Sequence, residues 1–389
     1  MNNTLTQKHV DETLQAALAA LNEKRPFQAN EAFTKLIGYG VVNASIWLGK
    51  AYACRDLNDH SAMQDAIDQS LALEARNPRA FLLRANHFES VGDTKAAASF
   101  YAKAIAVAPT AAKTPRDLQE QLAQAQNSLL AMKQGFEKHL TDFMKSKMAA
   151  SGISSGRFAE SIDLMTGKKQ AFSPQPKNYY LPGLPAIQFF NREDFDWVPA
   201  LEASTSVIRE ELQQHIQESD GFSPYVTGGA DRPLSDPHGM KNNDGWAAYY
   251  LWQNGELVAK NAKKFPKTAA ILQEIPYTKI AERSPNILFS RLKAGANIPP
   301  HHGLTNSRLI CHLPLIVPIN CGFRVGNDTR NWQEGQVFIF DDTIEHEAWN
   351  RSTDDRYILI FEIWRPELSD EEQGLVASLF EAIDSYNQP

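Results

Sequence analysis

The sequence predicts a multidomain protein in which an all-α region of helical repeats precedes an α+β domain with a double-sheet β core. Three observations predict this division. Residues 1–110 are rich in Ala and Leu and poor in Pro, apolar positions recur there at a fixed spacing, and short apolar segments separated by turn residues begin near residue 185. A run of helices followed by a run of strands indicates an α+β protein or separate domains.

The N-terminal region repeats with a period of 34 residues. Trp47 and Phe81 are separated by this distance, and so are Ile67 and Tyr101. Such a period is typical of tetratricopeptide repeats, in which each repeat is a helix–turn–helix hairpin. A degenerate earlier repeat is predicted over residues 8–38. The alternative is a plain helical bundle, because alanine-rich helical hairpins mimic this pattern.

Residues 78–109 show why the pattern predicts hairpins. Gly92-Asp93 forms the turn between two helices, and Pro109 ends the second helix. Small residues let the helices approach closely, and aromatic residues fill the space between neighbouring repeats. These positions are Phe81, Ala85 and Phe88 in the first helix, Ala97, Tyr101 and Ala104 in the second, and Ala29 and Phe33 in the second helix of the degenerate repeat.

Composition divides the chain into four segments. Residues 1–112 are the tetratricopeptide-like repeats, and residues 113–150 form one amphipathic helix that either caps the repeats or links them to the next domain. Residues 151–184 are rich in Ser, Gly and Pro, which predicts a linker or a wrapping loop. Residues 185–389 form the second domain.

The second domain is predicted to contain a β-sandwich or jelly roll. Several of its strand candidates are apolar on both faces, as expected for strands that are covered on each side. A helical pair is predicted before the strands, at 198–218, and one short helix after them, at 369–385. The strand candidates are 247–252, 286–292, 308–317, 322–325, 336–341 and 356–364.

Bulk composition excludes several classes of protein. The net charge of −7 argues against a general nucleic-acid binder. The N-terminus has no apolar core of a signal peptide, and no run approaches the roughly 18 apolar residues of a membrane helix. Cys54, Cys311 and Cys321 have no disulfide or zinc spacing, which favours reduced thiols. We therefore expect a cytoplasmic protein with no nucleic-acid and no membrane partner.

His301 and His346 are candidates for a metal site. Many non-haem iron oxygenases bind iron through two histidines and a carboxylate that follows the first histidine by two residues. Here Gly303 stands at the carboxylate position, so the pattern indicates either a metal site without that ligand or a polar turn. His302 is the rival first ligand, since adjacent residues of a strand point to opposite faces. Asp341 and Asp342 are either the missing carboxylate or caps of the turn before His346.

Arg356 follows His346 by ten residues and opens an apolar strand. An arginine at the start of an apolar strand must face an anion or reach solvent, because burying it alone is costly. The order of two histidines and then an arginine is typical of oxygenases in which the arginine binds a carboxylate of 2-oxoglutarate. His312, on an apolar face with Ile310, is on its own more typical of a core histidine. Glu345 and Glu347 either orient the imidazole of His346 or lie in a solvated turn.

Long segments resemble the aspartyl/asparaginyl β-hydroxylases. They are PHHGLTN with RLICHLPLIVP, then FRVGNDTRNWQEGQVFIFDDTIEHEAWN, then RYILIFEIWRPEL, within a resemblance that covers residues 180–370. It implies a double-stranded β-helix, that is, a jelly-roll or cupin-like core, and an enzyme that uses Fe(II), 2-oxoglutarate and O₂. The metal ligands would be His301 and His346, and glycine at position 303 also matches the family, so that water would take the place of the carboxylate.

The resemblance also assigns the co-substrate site. Arg356 and Ser290 match positions that hold the distal carboxylate of 2-oxoglutarate, and His312 matches one that contacts its other end. The sequence departs from the animal members at Ile310, where they have arginine. Two explanations remain open: Arg308 or Arg324 replaces that arginine, or the co-substrate binds more weakly.

The implied reaction is hydroxylation of the β-carbon of an Asp or Asn residue in a peptide or protein, which the repeats would recruit. One alternative is an oxygenase acting on a small amino-acid-like molecule, and another is a non-catalytic binding module. Four aromatic residues near the turn 243–245 either line a substrate groove or pack in the core. They are Trp246, Tyr249, Tyr250 and Trp252.

Overall fold

A computed structural model describes residues 7–110, 114–151, 156–218, 221–227 and 239–386. The chain divides into two compact units, Met1–Lys168 and Lys169–Pro389. The division falls inside segment 151–184, where composition predicts a linker or wrapping loop. No helix of the described ranges is long and apolar enough to span a membrane.

The first unit is a series of helical hairpins that repeat every 34 residues. Ala44 and Pro78 begin equivalent helices, as do His60 and Thr94, and each pair is separated by that distance. The predicted period and the degenerate first repeat are therefore confirmed. The helices are α1 (Gln7–Asn22), α2 (Pro26–Gly38), α3 (Ala44–Asp56), α4 (His60–Leu73), α5 (Pro78–Ser90) and α6 (Thr94–Val107).

Helix caps follow the same period. The side chains of Asn43 and Asn77 accept hydrogen bonds from the first-turn amides of α3 and α5. Those of Asp59 and Asp93 do the same for α4 and α6. Short side chains with an acceptor oxygen satisfy amides that the helix leaves without partners. The repeat is thus encoded in its turns as well as in its apolar faces.

The helix predicted over 113–150 is α7 (Arg116–Ser151), which α8 (Gly156–Met165) follows. Leu118 and Ala125 of α7 are buried in the same apolar cluster as Tyr101 and Val107 of α6. The first part of α7 therefore covers the apolar face that the last hairpin would otherwise expose. This position favours the capping interpretation of the helix.

The second unit contains two antiparallel sheets in its described residues. The eight-stranded sheet consists of β1 (Phe189–Phe190), β2 (Ser223–Pro224), β3 (Trp246–Gln253), β4 (Glu256–Leu257), β5 (Ile287–Leu292), β7 (Arg308–Ile316), β10 (Phe338–Phe340) and β12 (Arg356–Trp364). The four-stranded sheet consists of β6 (Asn297–His301), β8 (Cys321–Val325), β9 (Asp328–Asn331) and β11 (His346–Asn350). Their orders are β1-β10-β7-β12-β5-β3-β2, with β4 beside β3, and β6-β11-β8-β9.

Helices cover one face of the larger sheet. They are α9 (Val198–Ala203), α10 (Thr205–Glu218), α11 (Ala259–Ala262) and α12 (Pro266–Leu272), whereas α13 (Asp370–Ser385) packs in a separate apolar cluster with Ile280 and Leu368. Odd-numbered residues of β12, such as Leu359 and Phe361, join the core beneath α9, α10 and α12. Ile358 and Ile360 face the other way, into a second core that both sheets line. Strand alternation thus places Arg356 and Glu362 on the inner side, between the sheets.

All six predicted strands are present, and the helices predicted at 198–218 and 369–385 are found as α9, α10 and α13. The prediction missed the two-residue strands β1, β2 and β4 and the longer strands β6, β9 and β11. β6 contains two prolines, and β9 and β11 are short and polar, so none of them has a strand pattern. These short strands form most of the smaller sheet, and two of them carry the candidate histidines.

Candidate active site

His301 and His346 lie side by side in the smaller sheet. β6 ends at His301, β11 begins at His346, and the two residues are direct antiparallel partners. Their ring centroids are 4.0 Å apart, with an interplanar angle of 50°. The rival His302 lies beyond the end of β6. The fold therefore joins two imidazoles that are far apart in the chain.

Backbone carbonyls determine which nitrogen each imidazole presents. Nδ1 of His301 lies 2.8 Å from the oxygen of Pro299, and Nδ1 of His346 lies 3.0 Å from that of Ile344. Since a carbonyl only accepts, each Nδ1 carries the proton and each Nε2 carries the lone pair. Burial, together with the neighbouring His301, holds the pKa of His346 well below its ordinary value. Both features suit a metal-binding imidazole.

Arg356 is a guanidinium buried with few protein partners. It is 1% exposed, and its Nε has no hydrogen-bond partner. Its Nη2 donates a long hydrogen bond of 3.5 Å to Oγ of Ser290, and its Cζ lies 5.3 Å from the ring centroid of Trp332. Burial lowers the pKa of Arg356 to about 10. Because an unpaired buried charge costs on the order of several kcal/mol, this arrangement is suited to an anion.

Ser290 can add a hydrogen bond to such an anion. Its side chain is fully buried in β5, and its Oγ accepts a hydrogen bond of 3.1 Å from Nε1 of Trp246. Arg356 donates to the same oxygen. A hydroxyl has one proton of its own to donate, and neither of these partners takes it. The Ser290 hydroxyl can therefore donate to an anion bound beside the guanidinium.

His312 lies in the same inner core. Its ring packs 4.8 Å from Phe340 and 5.3 Å from Phe323, and both of these rings also contact His346. It stacks on Trp332 at 5.4 Å. Burial, with Arg356 nearby, holds the pKa of His312 well below its ordinary value. Its Nδ1 and the indole nitrogen of Trp332 are buried without hydrogen-bond partners.

The position of Gly303 is explained by Asp342. A Cβ atom at residue 303 would lie 2.1 Å from Oδ2 and 2.2 Å from Cγ of Asp342. The amide of Gly303 also donates to the Asp342 carbonyl, at 2.6 Å. Any side chain at position 303 would therefore collide with a carboxylate held against the backbone.

The two aspartates before His346 have separate structural roles. Asp341 accepts hydrogen bonds from the amide and hydroxyl of Thr343 and forms a fully buried ion pair of 2.8 Å with Arg365. This agrees with the capping interpretation. Oδ2 of Asp342 lies 3.4 Å from Arg308. Among the described residues, no three His, Cys, Asp or Glu side chains could together hold a metal ion. A metal bound here would have the two histidines as its protein ligands.

The arginines considered as replacements for the residue at Ile310 are both paired. Arg324 forms ion pairs with Glu345, at 2.9 Å, and with Glu347. Arg308 lies 3.0 Å from Glu362 in addition to Asp342. Ile310 itself packs half-buried against the inner core. Both acids that flank His346 are thus committed to Arg324, which neither of the two interpretations from sequence included.

The four candidate groove aromatics divide between the two faces of β3. Tyr249 and Trp252 belong to the helix-side core, so the groove interpretation is wrong for them. Trp246 and Tyr250 are half-buried on the inner side, and Trp246 lies 6.2 Å from the ring of His301. Sequence reasoning missed Trp332, which directly follows the unpredicted strand β9, and Tyr225, which stacks on Trp246 at 4.1 Å.

A family model matches this part of the chain. Residues 202–366 match the model described as aspartyl/asparaginyl beta-hydroxylase. The human protein of that name is 31% identical over 199 residues, which are 50% of this chain and 25% of the human protein. The ornithine lipid ester-linked acyl 2-hydroxylase of Rhizobium tropici is 30% identical over 180 residues, which are 46% of this chain and 60% of that protein. The chain spans less than two thirds of each of these relatives.

The solved structures that match this chain include a TPR domain. The Arabidopsis OM64 TPR domain is 18% identical, with a TM-score of 0.27, and the match covers 31% of this chain and 96% of that one. PcrH from Pseudomonas aeruginosa is 19% identical, with a TM-score of 0.30, over 34% of this chain and 97% of that one. These scores are too low to bear on the fold, which here follows from the hairpins themselves.

Proposed function

We propose that the chain belongs to the aspartyl/asparaginyl β-hydroxylase family, whose model residues 202–366 match, and that it is an Fe(II)- and 2-oxoglutarate-dependent oxygenase that hydroxylates a substrate carbon. The observation that carries the proposal is the pair His301 and His346, with lone pairs on Nε2, in the same inner core as the partly unpaired Arg356. The donor set fits ferrous iron, and the guanidinium fits a carboxylate.

Strand order supports a double-stranded β-helix. From β5 to β12 the chain passes repeatedly between the two sheets: β5, β7, β10 and β12 lie in one, and β6, β8, β9 and β11 in the other. In the part of the chain from β5 to β12, the central neighbours are β7 and β12 in the larger sheet and β11 and β8 in the smaller one, and neither pair is consecutive in the sequence. This alternation is the topology expected of a jelly roll.

Each residue would have a defined task. His301 and His346 would hold Fe(II), which together with 2-oxoglutarate and O₂ supplies the oxidation of a C–H bond. Arg356 and Ser290 would bind the distal carboxylate of the co-substrate. Nδ1 of His312 would form a hydrogen bond with the other end of the co-substrate. Phe323, Phe340 and Trp332 surround the imidazoles with apolar surface. That surface would keep water from the reacting groups.

The proposed substrate is a residue of a peptide or protein. The name of the matched family supports an Asp or Asn β-carbon, and the helical hairpins support recruitment of a peptide, since stacked repeats offer extended binding surfaces. The Rhizobium relative bears the name of a lipid hydroxylase. The matched names therefore include both peptide and lipid hydroxylases, and the substrate class must be inferred from the residues around the site.

The proposal is tested by succinate formation from 2-oxoglutarate. We expect Fe(II)-dependent succinate release by the full chain, and an anaerobic metal-to-ligand absorption band that is lost in His346→Ala. Arg356→Ala should raise the apparent KM for 2-oxoglutarate about a hundredfold, because it removes a charge-assisted contact worth roughly 1.5–3 kcal/mol. Arg209→Ala, which breaks a surface pair with Glu334, is the matched control.

Two results would contradict the proposal. The absence of both succinate and the absorption band would leave the non-catalytic module as the better interpretation. An unchanged KM in Arg356→Ala, with the control also unchanged, would remove Arg356 from the co-substrate site.

A further inference from the structure

A cluster of charged and phenolic side chains lies beside the histidine pair. We call it the carboxylate–tyrosine cluster, and it consists of Tyr225, Tyr250, Arg308, Asp342 and Glu362. Arg308 lies within ion-pair distance of both Asp342 and Glu362. Tyr250 and Glu362 lie on β3 and β12, the two neighbours of β5 in the larger sheet. Burial raises the pKa of Tyr225, and the charges of Arg308, Glu362 and Asp342 act on it as well. Neither metal binding nor co-substrate binding, as proposed above, uses any of them.

Two contacts connect this cluster to the proposed metal site. Tyr225 stacks on Trp246 at 4.1 Å, and the Trp246 ring lies 6.2 Å from that of His301. On the other side, the carboxylate of Asp342 lies against Gly303, two residues after His301. A substrate whose target carbon is near the histidines would therefore pass within reach of the cluster.

The cluster has more negative than positive charge. Its one guanidinium, Arg308, lies 3.0 Å from Oε2 of Glu362 and 3.4 Å from Oδ2 of Asp342. Oε1 of Glu362 accepts a hydrogen bond from the Asn286 amide. By contrast, Oδ1 of Asp342 is buried without a hydrogen-bond partner, in a residue that is 7% exposed. Two carboxylates against one guanidinium leave a net charge of −1 and, on Asp342, an acceptor that lacks a donor. Nη1 of Arg308 is within ion-pair distance of Glu362 but makes no hydrogen bond there.

The aromatic side chains of the cluster also suit a cation. Burial raises the pKa of Tyr225 and of Tyr250, so both phenols are neutral near pH 7. The stacked rings of Tyr225 and Trp246 are half-buried. Aromatic faces beside carboxylates attract ammonium and guanidinium groups through the ring quadrupole and through charge-assisted hydrogen bonds. An anionic side chain would meet like charge there.

We propose that the carboxylate–tyrosine cluster binds a positively charged side chain of a basic peptide substrate, next to the residue that is hydroxylated. Asp342 would accept a hydrogen bond from this group with Oδ1, and Tyr225 would offer its ring face. The inference rests on the proposed function, which identifies the active site. It also implies that an aspartate side chain would bind poorly in the cluster.

The test measures binding separately from turnover. Calorimetry on the anaerobic full chain, loaded with Fe(II) and 2-oxoglutarate, compares three peptides that differ only in a central lysine, norleucine or glutamate. We expect the lysine peptide to bind about tenfold more tightly than the norleucine peptide, and glutamate to bind most weakly. The preference for lysine should decrease at high salt. Equal or tighter binding of the glutamate peptide would overturn the inference.

Variants localise the effect to the cluster. Asp342→Asn and Glu362→Gln should each weaken binding of the lysine peptide about tenfold and leave the norleucine peptide unchanged. Glu256→Gln, at an exposed carboxylate of β4, is the matched control. If either folded variant, checked by its melting temperature, keeps full lysine preference, its carboxylate has no such role, and if both do, the inference is wrong. Loss of succinate release in the wild type, with lysine preference intact, would instead count against the proposed function.

Discussion

At the scale of single residues, packing explains why position 303 is glycine and not a carboxylate residue. The carboxylate position of the usual iron site is glycine here, and the carboxylate of Asp342 occupies the space that a side chain would need. Burial raises the pKa of Asp342 to about 6, with Arg308 acting in the opposite direction. A carboxylate therefore lies near the histidines, but it is that of Asp342 and it faces Arg308.

Gly303→Ala is expected to destabilise the second unit. The new methyl would lie 2.1–2.2 Å from the Asp342 carboxyl group, which must then move away from Arg308. Overpacking of this kind costs about 1–3 kcal/mol, measurable as a lower free energy of unfolding in urea. Gly374→Ala, in α13 where no atom lies within 4 Å of the new Cβ, is the control. An alanine at 303 as stable as wild type would show that this contact is not tight.

The identities of the site residues were easier to predict from the sequence than the contacts that these residues make. His301, His346 and Arg356 could be named from the sequence by their order and spacing and by the family resemblance of the segments that contain them. The pairing of Arg324 with Glu345 and Glu347 could not be predicted, since it depends on the register of β8 against β11. Trp332 was missed because it follows β9, a short polar strand that has no recognisable sequence pattern.

At the scale of elements, the helical hairpins follow local rules and the smaller sheet does not. Caps, turns and apolar periodicity all repeat at 34 residues, and each of these signals is contained in one hairpin. β6 and β11 have polar or proline-containing sequences, and they become strands because they pair with each other and β11 pairs with β8. Long-range pairing therefore determines that these segments form strands, whereas local sequence signals determine the helical hairpins.

Gly49→Ala tests the contact between consecutive hairpins. A Cβ at position 49 in α3 would lie 2.3 Å from Cζ of Phe33 in α2. We expect a loss of about 1–3 kcal/mol in the stability of the helical unit, because the buried phenyl ring must shift. Circular dichroism at 222 nm during urea unfolding measures it. Gly135→Ala, at an uncrowded position of α7, should instead stabilise by about 0.5–1 kcal/mol. A neutral Gly49→Ala would mean that the hairpins are loosely packed.

At the scale of the whole molecule, the second unit buries two neutral imidazoles in one core. His312 and His346 both have pKa values well below the ordinary one because of burial. Once unfolded, each would bind a proton below a pH of about 6.5. Stability from these groups is therefore fully present above that pH and is lost as the pH falls through it.

Acid should consequently destabilise the metal-free second unit. Each histidine contributes a loss of about 1.4 kcal/mol per pH unit below pH 6.5. Asp342, whose pKa is raised, acts in the opposite direction, so the clean measurement is the difference between wild type and His312→Phe. We expect the variant to have the shallower dependence between pH 6.5 and 5, followed by tryptophan fluorescence, since every tryptophan except Trp47 lies beyond residue 168. Parallel curves would show that His312 is protonated in the folded state.

By itself, the sequence determined the order of a helical region and a β domain, the period of the hairpins, six strands, and the residue types of the site. These depend on periodicity, capping and residue chemistry, which neighbouring residues carry. Only the tertiary structure decided that His301 meets His346, that Asp342 fills the space beside Gly303, and that Arg308 lies between two carboxylates. Such contacts join distant segments, and their geometry depends on strand register, which no local pattern specifies.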